Sequence, residues 1–420
     1  VTVPGPQDAA AGTAPQGAGG RTPPLAEVVA ALERRWPPGT AEAWDRVGLV
    51  AGDPDQPVRR VLLAVDVTAE VVDEALAVGA DLVLAHHPLL LRGVHSVAAD
   101  TWKGALVHRL VRGGVALHTA HTNADAAADG VADALAAVLG LEGTRPLVAH
   151  PAPALDKVVA FVPVADAERL VDALAAAGAG GLGDYARCAW TTTGTGTFEP
   201  QPGASPAVGE VGRRADVVEA RVEMVLPRGR RSAVLAALRA AHPYEEPAFD
   251  LLELAPTAAA GTGAGRVGRL AVPTTLHGLA QRLAAALPAT VPGVRYAGPP
   301  DAPVVDVAVL GGSGDTFFDA VRAAGVDAYV TADLRHHPAS EQREHALFEA
   351  RTGRRPAATP YLVDLAHSAS EQPWLAHAAA HLRADLAAAG ASVEPLVSTV
   401  RTDPWTGRVD APVPPPEGRP

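Results

Sequence analysis

ADLVLAHHPLLLRGVHS, Ala80 to Ser96, sets an apolar run, Leu82-Val83-Leu84, directly before two histidines and a proline. A short apolar run that starts just past a helix-ending glycine, here Gly79, reads as a strand buried on both faces. In a straight strand His86 and His87 would point to opposite faces. Pro88 ends regular pairing there, so the backbone can turn and show both rings to one cavity. Loops beyond the carboxyl ends of parallel strands are where α/β sheets place their sites.

Outward from this stretch, helix and strand patterns alternate. LAEVVAALERRW predicts an amphipathic helix, VRRVLLAVDVT a strand, and AEVVDEALAVGA a helix stopped by Gly79. VALHTA predicts another strand. ADGVADALAAVLGL predicts a helix with Val131, Leu135, Val138 and Leu139 on one face and Gly140 as its stop. This first block runs from about 24 to 150. A later block, about 265 to 400, repeats the scheme: VVDVAVLGGSG, TFFDAVRAAG, VDAYVTAD and YLVDLAH alternate strand and helix. GADLVLA and GVDAYVTA match in sense, a weak internal repeat. The block between them, about 156 to 255, reads β-α-β-β-α-β, the ferredoxin-like order. The fold expected is therefore α/β, two related halves forming one domain, with an inserted α+β ferredoxin-like module. Residues 1–22 and 403–420 are rich in Gly, Ala and Pro and are expected to be disordered.

The 420 residues are 48% hydrophobic and 20% charged, the balance of a soluble globular protein. A net charge of -12 disfavours nucleic acid and anionic membrane as partners. The single cysteine, Cys188, forms no intrachain disulfide and reads as a buried thiol. No apolar stretch of membrane-spanning length occurs, and the first residues lack the basic start and apolar core of a signal peptide. A cytoplasmic location is expected.

Three segments offer metal ligands, each just past a strand. AHHP gives His86 and His87. HTAHTNAD gives His121 and Asp125. LVDLAHSASE gives His367 and Glu371 at i and i+4, on one face if helical. Taken singly each has a plain alternative: a solvated pair at a strand end, a helix cap at Asp125, an exposed His–Glu pair on a helix. Together His86, His87, Asp125, His367 and Glu371 make five ligands, more than one tetrahedral site takes. They suit two cations about 3.5–4 Å apart sharing a carboxylate. GGSGDTF, Gly311 to Phe317, offers either a phosphate cradle or a tight strand-to-helix turn.

The ordered set WDRVGL, AHHPL, AHTNAD, GGSG, VTADLRHH and AHSASE resembles the dinuclear metal-centre family of GTP cyclohydrolase 1 type 2 homologues, in its long form. GTGTF, GEVGR and HPYEEPAFD mark the inserted module, which resembles small copper-tolerance and nitrogen-regulator proteins. The resemblance implies two divalent metals per subunit, zinc, manganese or iron. It puts His87 and Asp125 on one metal and His86 and His367 on the other, with Glu371 bridging. His121 and His337 would line the pocket as proton-transfer candidates. It implies a toroidal homohexamer and a hydrolase that opens the guanine ring of GTP. Ala332 stands where that family usually has Gly, and Ser368 and Ser370 where it has an aromatic residue and Thr; these reshape the pocket without removing a ligand. The competing expectation is a non-enzymatic hexamer that binds metal, with the module sensing a ligand or docking a partner.

Overall fold

The computed structural model describes residues 20–255 and 258–410, the side chains of 258–260 excepted. Most of the two ends expected to be disordered lies outside the described residues. Two positions at their margins differ from expectation. Arg21 forms a bridge with Ala391, and its guanidinium meets both oxygens of Glu27. Asp403 is buried, and its carboxylate accepts from the Trp405 N–H, an Asx turn that fixes the chain there. Among the described residues no helix is long and apolar enough to cross a membrane.

The elements run in chain order as α1 (Leu25–Arg35), β1 (Gly48–Ala51), β2 (Arg60–Ala64), α2 (Ala69–Ala77), β3 (Leu82–Ala85), α3 (Trp102–Arg112), β4 (Ala116–Thr119), α4 (Thr122–Ala126), α5 (Val131–Leu139) and β5 (Leu141–Pro151). Then come β6 (Leu155–Pro163), α6 (Ala167–Ala176), β7 (Trp190–Phe198), β8 (Ala215–Pro227), α7 (Arg231–Ala241) and β9 (Phe249–Glu253). The last part holds β10 (Ala258–Thr275), α8 (Leu276–Ala286), β11 (Arg295–Ala297), β12 (Pro303–Ser313), α9 (Phe318–Ala324), β13 (Ala328–Ala332), α10 (His336–Arg351), β14 (Tyr361–Leu365), α11 (His367–Ala388) and β15 (Glu394–Val397).

The chain divides into two units: one from the described residues up to Val148 and from Gly261 onward, the other from Ala149 to Ala260. In the first, two sheets repeat one plan. The order β1-β4-β3-β2 in one matches β11-β14-β13-β12 in the other. Within each matched set of four, three strands are parallel and the edge strand is antiparallel, β1 on β4 and β11 on β14. The repeat is thus an α/β pair of halves, as the weak likeness of GADLVLA to GVDAYVTA suggests. Strands β2, β3, β13 and β14 are buried almost throughout, which is why they read as apolar runs rather than alternations. Helix α5 joins the two cores: Val131 and Ala134 pack with the first, Leu135 and Leu139 with the second. It stops at Gly140 in the left-handed region, φ 64°.

The other unit orders its strands β7-β8-β6-β9, all antiparallel. With the sequence β6-α6-β7-β8-α7-β9, this is a ferredoxin-like sheet. Val158, Ala160, Ala220, Val222, Leu174 and Leu238 form its core against α6 and α7. Cys188 is half-buried rather than a core thiol.

Candidate metal centre

Strand ends deliver the site. β3 ends at Ala85, and His86 and His87 follow at once. β4 ends at Thr119, with His121 two residues on. β14 ends at Leu365, with His367 two residues on as the first residue of α11. The helical start puts Glu371 one turn further and under His367: His367 Nε2 lies 3.0 Å from Glu371 Oε1. Asp125 lies inside α4 and caps nothing; the residue preceding α5 is Gly130.

These side chains converge. Ligand atoms of His86, His87 and His121 lie within 4.8 Å of one another, as do those of His87, His367 and Glu371. His86 Nε2 is 3.7 Å from Asp125 Oδ1 and 3.5 Å from Glu371 Oε1, and His87 Nε2 is 3.2 Å from Glu371 Oε2. His86 and His367 thus approach one oxygen of Glu371, Oε1, and His87 approaches the other, Oε2. The resemblance likewise puts His86 with His367, and His87 apart from them with Asp125. Glu371 stands between the two groups.

Each ring is oriented from behind through Nδ1. His87 meets Asp66 at 2.7 Å, His121 meets Asp45 at 2.9 Å, His367 meets Asp333 at 2.6 Å, and His86 meets the Ala120 carbonyl at 2.9 Å. An Nδ1–H donated to oxygen fixes the tautomer that leaves Nε2 as a lone pair, the arrangement metal-binding histidines use. His86 Nε2 and Glu371 Oε2 are buried without a hydrogen-bond partner. Orphaned buried polar atoms are costly, and lone pairs aimed at one small volume are satisfied by a cation. The donor set, imidazole with carboxylate, suits zinc, manganese or iron.

The electrostatics agree. Burial alone would raise the Glu371 carboxyl, but His86, His367 and His87 hold it well below the carboxylate range. Burial would lower His87, yet Asp66 and Glu371 raise it to about 10; His367 is raised to about 9 by Glu371 and Asp333 against the same penalty. Asp125 is pushed up by desolvation. The cluster thus demands positive charge, from ring protons or from cations.

GGSG is a wall of this site, not a phosphate cradle. Gly312 has φ 71°, and a Cβ there would lie 2.7 Å from Glu371 Oε1 and 3.3 Å from His367 Nε2. Its N–H donates to Ser370 Oγ, and that hydroxyl donates to the His367 carbonyl, so the buried Ser370 ties the loop to the ligand helix. Ala332 closes β13, and Asp333 follows at φ 53°.

His337 is not brought to the cluster. It is exposed on the first turn of α10, stacked edge-on to His336. The residue of VTADLRHH that reaches the site is Asp333. Asp45, Asp66 and Asp333 were all visible as acids near strand ends or beside a quoted motif; nothing local distinguishes them from solvated acids. Above the cluster opens a cavity of about 570 Å³ with Trp44, Trp405, His121, Arg295 and Ser368 on its walls.

The fold and cluster define an α/β protein with a recessed histidine–carboxylate centre able to hold metal. A family model for Duf34/NIF3 (NGG1p interacting factor 3) matches residues 23–404, and the chain belongs to that family. A GTP cyclohydrolase 1 type 2 homolog of Mycobacterium bovis is 51% identical over 395 residues, 92% of this chain and 99% of that relative. The protein of that name from Streptomyces coelicolor is 39% identical over 387 residues, 92% of this chain and 95% of its own. A Bacillus cereus protein related to NIF3 shares 34% identity with a TM-score of 0.69, covering 92% of this chain and 99% of that one. A Staphylococcus aureus crystal structure gives a TM-score of 0.76 at 26% identity, with 92% and 99% covered.

Proposed function

We propose that the chain is a metal-dependent hydrolase holding two divalent cations and acting on a small molecule with a flat ring, a nucleotide such as GTP on the reading nearest its relatives' name. The observation that carries it is the four histidines braced through Nδ1 around Glu371, whose Oε2 has no hydrogen-bond partner. His86 and His367 approach one oxygen of Glu371 and His87 the other, so the carboxylate would be shared by one cation on His86 and His367 and another on His87 and Asp125. Bound divalent cations would acidify water and polarise the substrate. The chain supplies the rest. Asp45 fixes His121, leaving Nε2 to accept or return a proton. The exposed faces of Trp44 and Trp405 offer stacking surfaces for a ring, in a cavity of nucleotide size. A homohexamer, as the resemblance implies, is part of this reading, and light scattering tests it.

One observation favours a second reading, a non-enzymatic metal-binding or regulatory protein. Asp66, Asp333, Asp364 and Asp403 line the cavity, whereas its one arginine among the described residues, Arg295, is paired with Asp364. That lining offers a triphosphate little beyond the metals themselves. Metal analysis followed by incubation with nucleotides and phosphoesters separates the two. The hydrolase reading expects turnover that disappears with the metal in Glu371→Ala. Two metals bound with no turnover across the panel would establish the binding role, and turnover persisting without metal would sink the dimetal mechanism.

A further inference from the structure

The ferredoxin-like unit has a cavity of its own, about 540 Å³, on the sheet face opposite α6 and α7. Alternation along β8 creates it. Ala220, Val222 and Met224 face the helices, so Glu219 and Arg221 face the other way. Across the ladder Glu219 meets Gly194, and two residues on lies Gly196, where a Cβ would sit 2.0 Å from Glu219 Oε2. Gly196 of GTGTF, inside β7, therefore makes room for a carboxylate. Phe161, Phe198, Pro206 and Val208 supply apolar walls. The loop carrying Val208 is tied across by Ser205 N–H donating to Glu245.

Glu219 is only 8% exposed, and among the described residues no cation pairs with it; its polar neighbour is the Tyr244 hydroxyl. Arg221, its neighbour on the same face, pairs with Glu223 instead. Tyr244 Oη is buried beside Glu219 and has no other polar neighbour to bond. Burial and that carboxylate push the phenol up to about 12. The ring is held in place, edge-on to His242 at 5.0 Å and to Phe198 at 5.9 Å. A buried carboxylate with no cation on it and a buried hydroxyl beside it, both in an apolar cavity, are a binding site's polar pair rather than a packing accident.

We propose that this cavity binds a small organic cation, an amine on a flat apolar body, with the ammonium on Glu219 and Tyr244 and the body against Phe161 and Phe198. An anion is disfavoured because Glu219, Glu245 and Glu246 line the cavity against Arg221 alone. A bare divalent cation is disfavoured because the walls offer one buried carboxylate where such ions want six or more oxygens.

The test uses the full chain and two indoles of similar size and opposite charge, tryptamine and indole-3-propionate, titrated by calorimetry. Tryptamine is expected to saturate, indole-3-propionate not to bind, and chelator treatment to leave the tryptamine affinity unchanged, which separates this site from the metal centre. Glu219→Gln should weaken tryptamine about tenfold or more. Val208→Trp, at an exposed loop position, should fill the cavity and remove binding without touching a charge. Failure of tryptamine to bind, equal affinity for the two probes, or full affinity in either variant would overturn the proposal.

Discussion

His367 is the structural counterpart of His121. Each stands two residues past a parallel strand, β14 or β4, and four residues before an acid, Glu371 or Asp125. The ladder registers agree, with Ala332 opposite Leu365 as Ala85 is opposite Thr119. AHTNAD and AHSASE are therefore one motif used twice, and the centre is assembled from both copies. In the same register His86 corresponds to Asp333, so one half contributes a ligand where the other contributes the acid that orients His367.

Removing an orienting carboxylate should loosen the metal without deleting a ligand. Asp66→Asn and Asp333→Asn are expected to weaken metal affinity about 10- to 100-fold, measured by competition with a chromophoric chelator. Asn keeps the shape but loses the charge that holds the Nδ1 proton. Unchanged affinity in both variants would mean that packing alone orients His87 and His367.

His121 and His337 should separate cleanly. His121 lines the cavity and is braced by Asp45; His337 is exposed on α10. If the chain is a hydrolase, His121→Ala should lower kcat by about 10²–10⁴, the usual worth of a positioned acid–base group. His337→Ala should leave both kcat and metal content as they were. A large loss in His337→Ala would require His337 to reach the reaction from outside this cavity.

Much of this centre was legible in the sequence because its ligands sit at strand ends, where apolar runs stop abruptly at polar residues. His86, His87, Asp125, His367 and Glu371 could be picked that way, and the helical i, i+4 spacing of His367 and Glu371 is local. His337 of VTADLRHH was expected at the pocket from the resemblance alone, and it lies exposed on α10. The strand register aligns Asp333, not His336 or His337, with His86. Register is a property of pairing between distant segments, and so are the Nδ1 partners: Asp45 lies 76 residues from His121. GGSG was ambiguous for the same reason, since its close approach to Glu371 depends on α11, far along the chain.

The two halves share a buried ionic pillar. Arg266 of β10 is 2% exposed and meets both carboxylate oxygens of Asp133 at 2.7 Å, and it also donates to the carbonyls of Gly263, Gly265 and Ala127. Arg266→Leu would leave those acceptors and a part-buried charge unmet, and is expected to cost about 3–5 kcal/mol in urea unfolding. Arg269→Leu, three residues on and exposed, loses only a 3.6 Å pair with Asp306 and should change stability by less than about 1 kcal/mol. Equal effects would mean that the buried network relaxes or rehydrates.

Acid should destabilise the metal-free chain through His118, in the middle of β4. The ring is buried, its Nδ1 has no partner, and burial lowers its pKa to about 4 from an ordinary 6.5. The unfolded chain therefore takes up this proton first. Stability owed to His118 is complete above about pH 6.5 and is lost as pH falls towards 4. Between pH 7 and pH 5 the loss from this ring is about 2 kcal/mol. His118→Phe removes the titrating group and keeps an aromatic ring in the strand. Urea unfolding of both chains in chelator at the two pH values should show the wild type losing about 2 kcal/mol more than the variant. Parallel losses would place the acid sensitivity elsewhere and show that His118 is protonated as readily in the fold as in the unfolded chain.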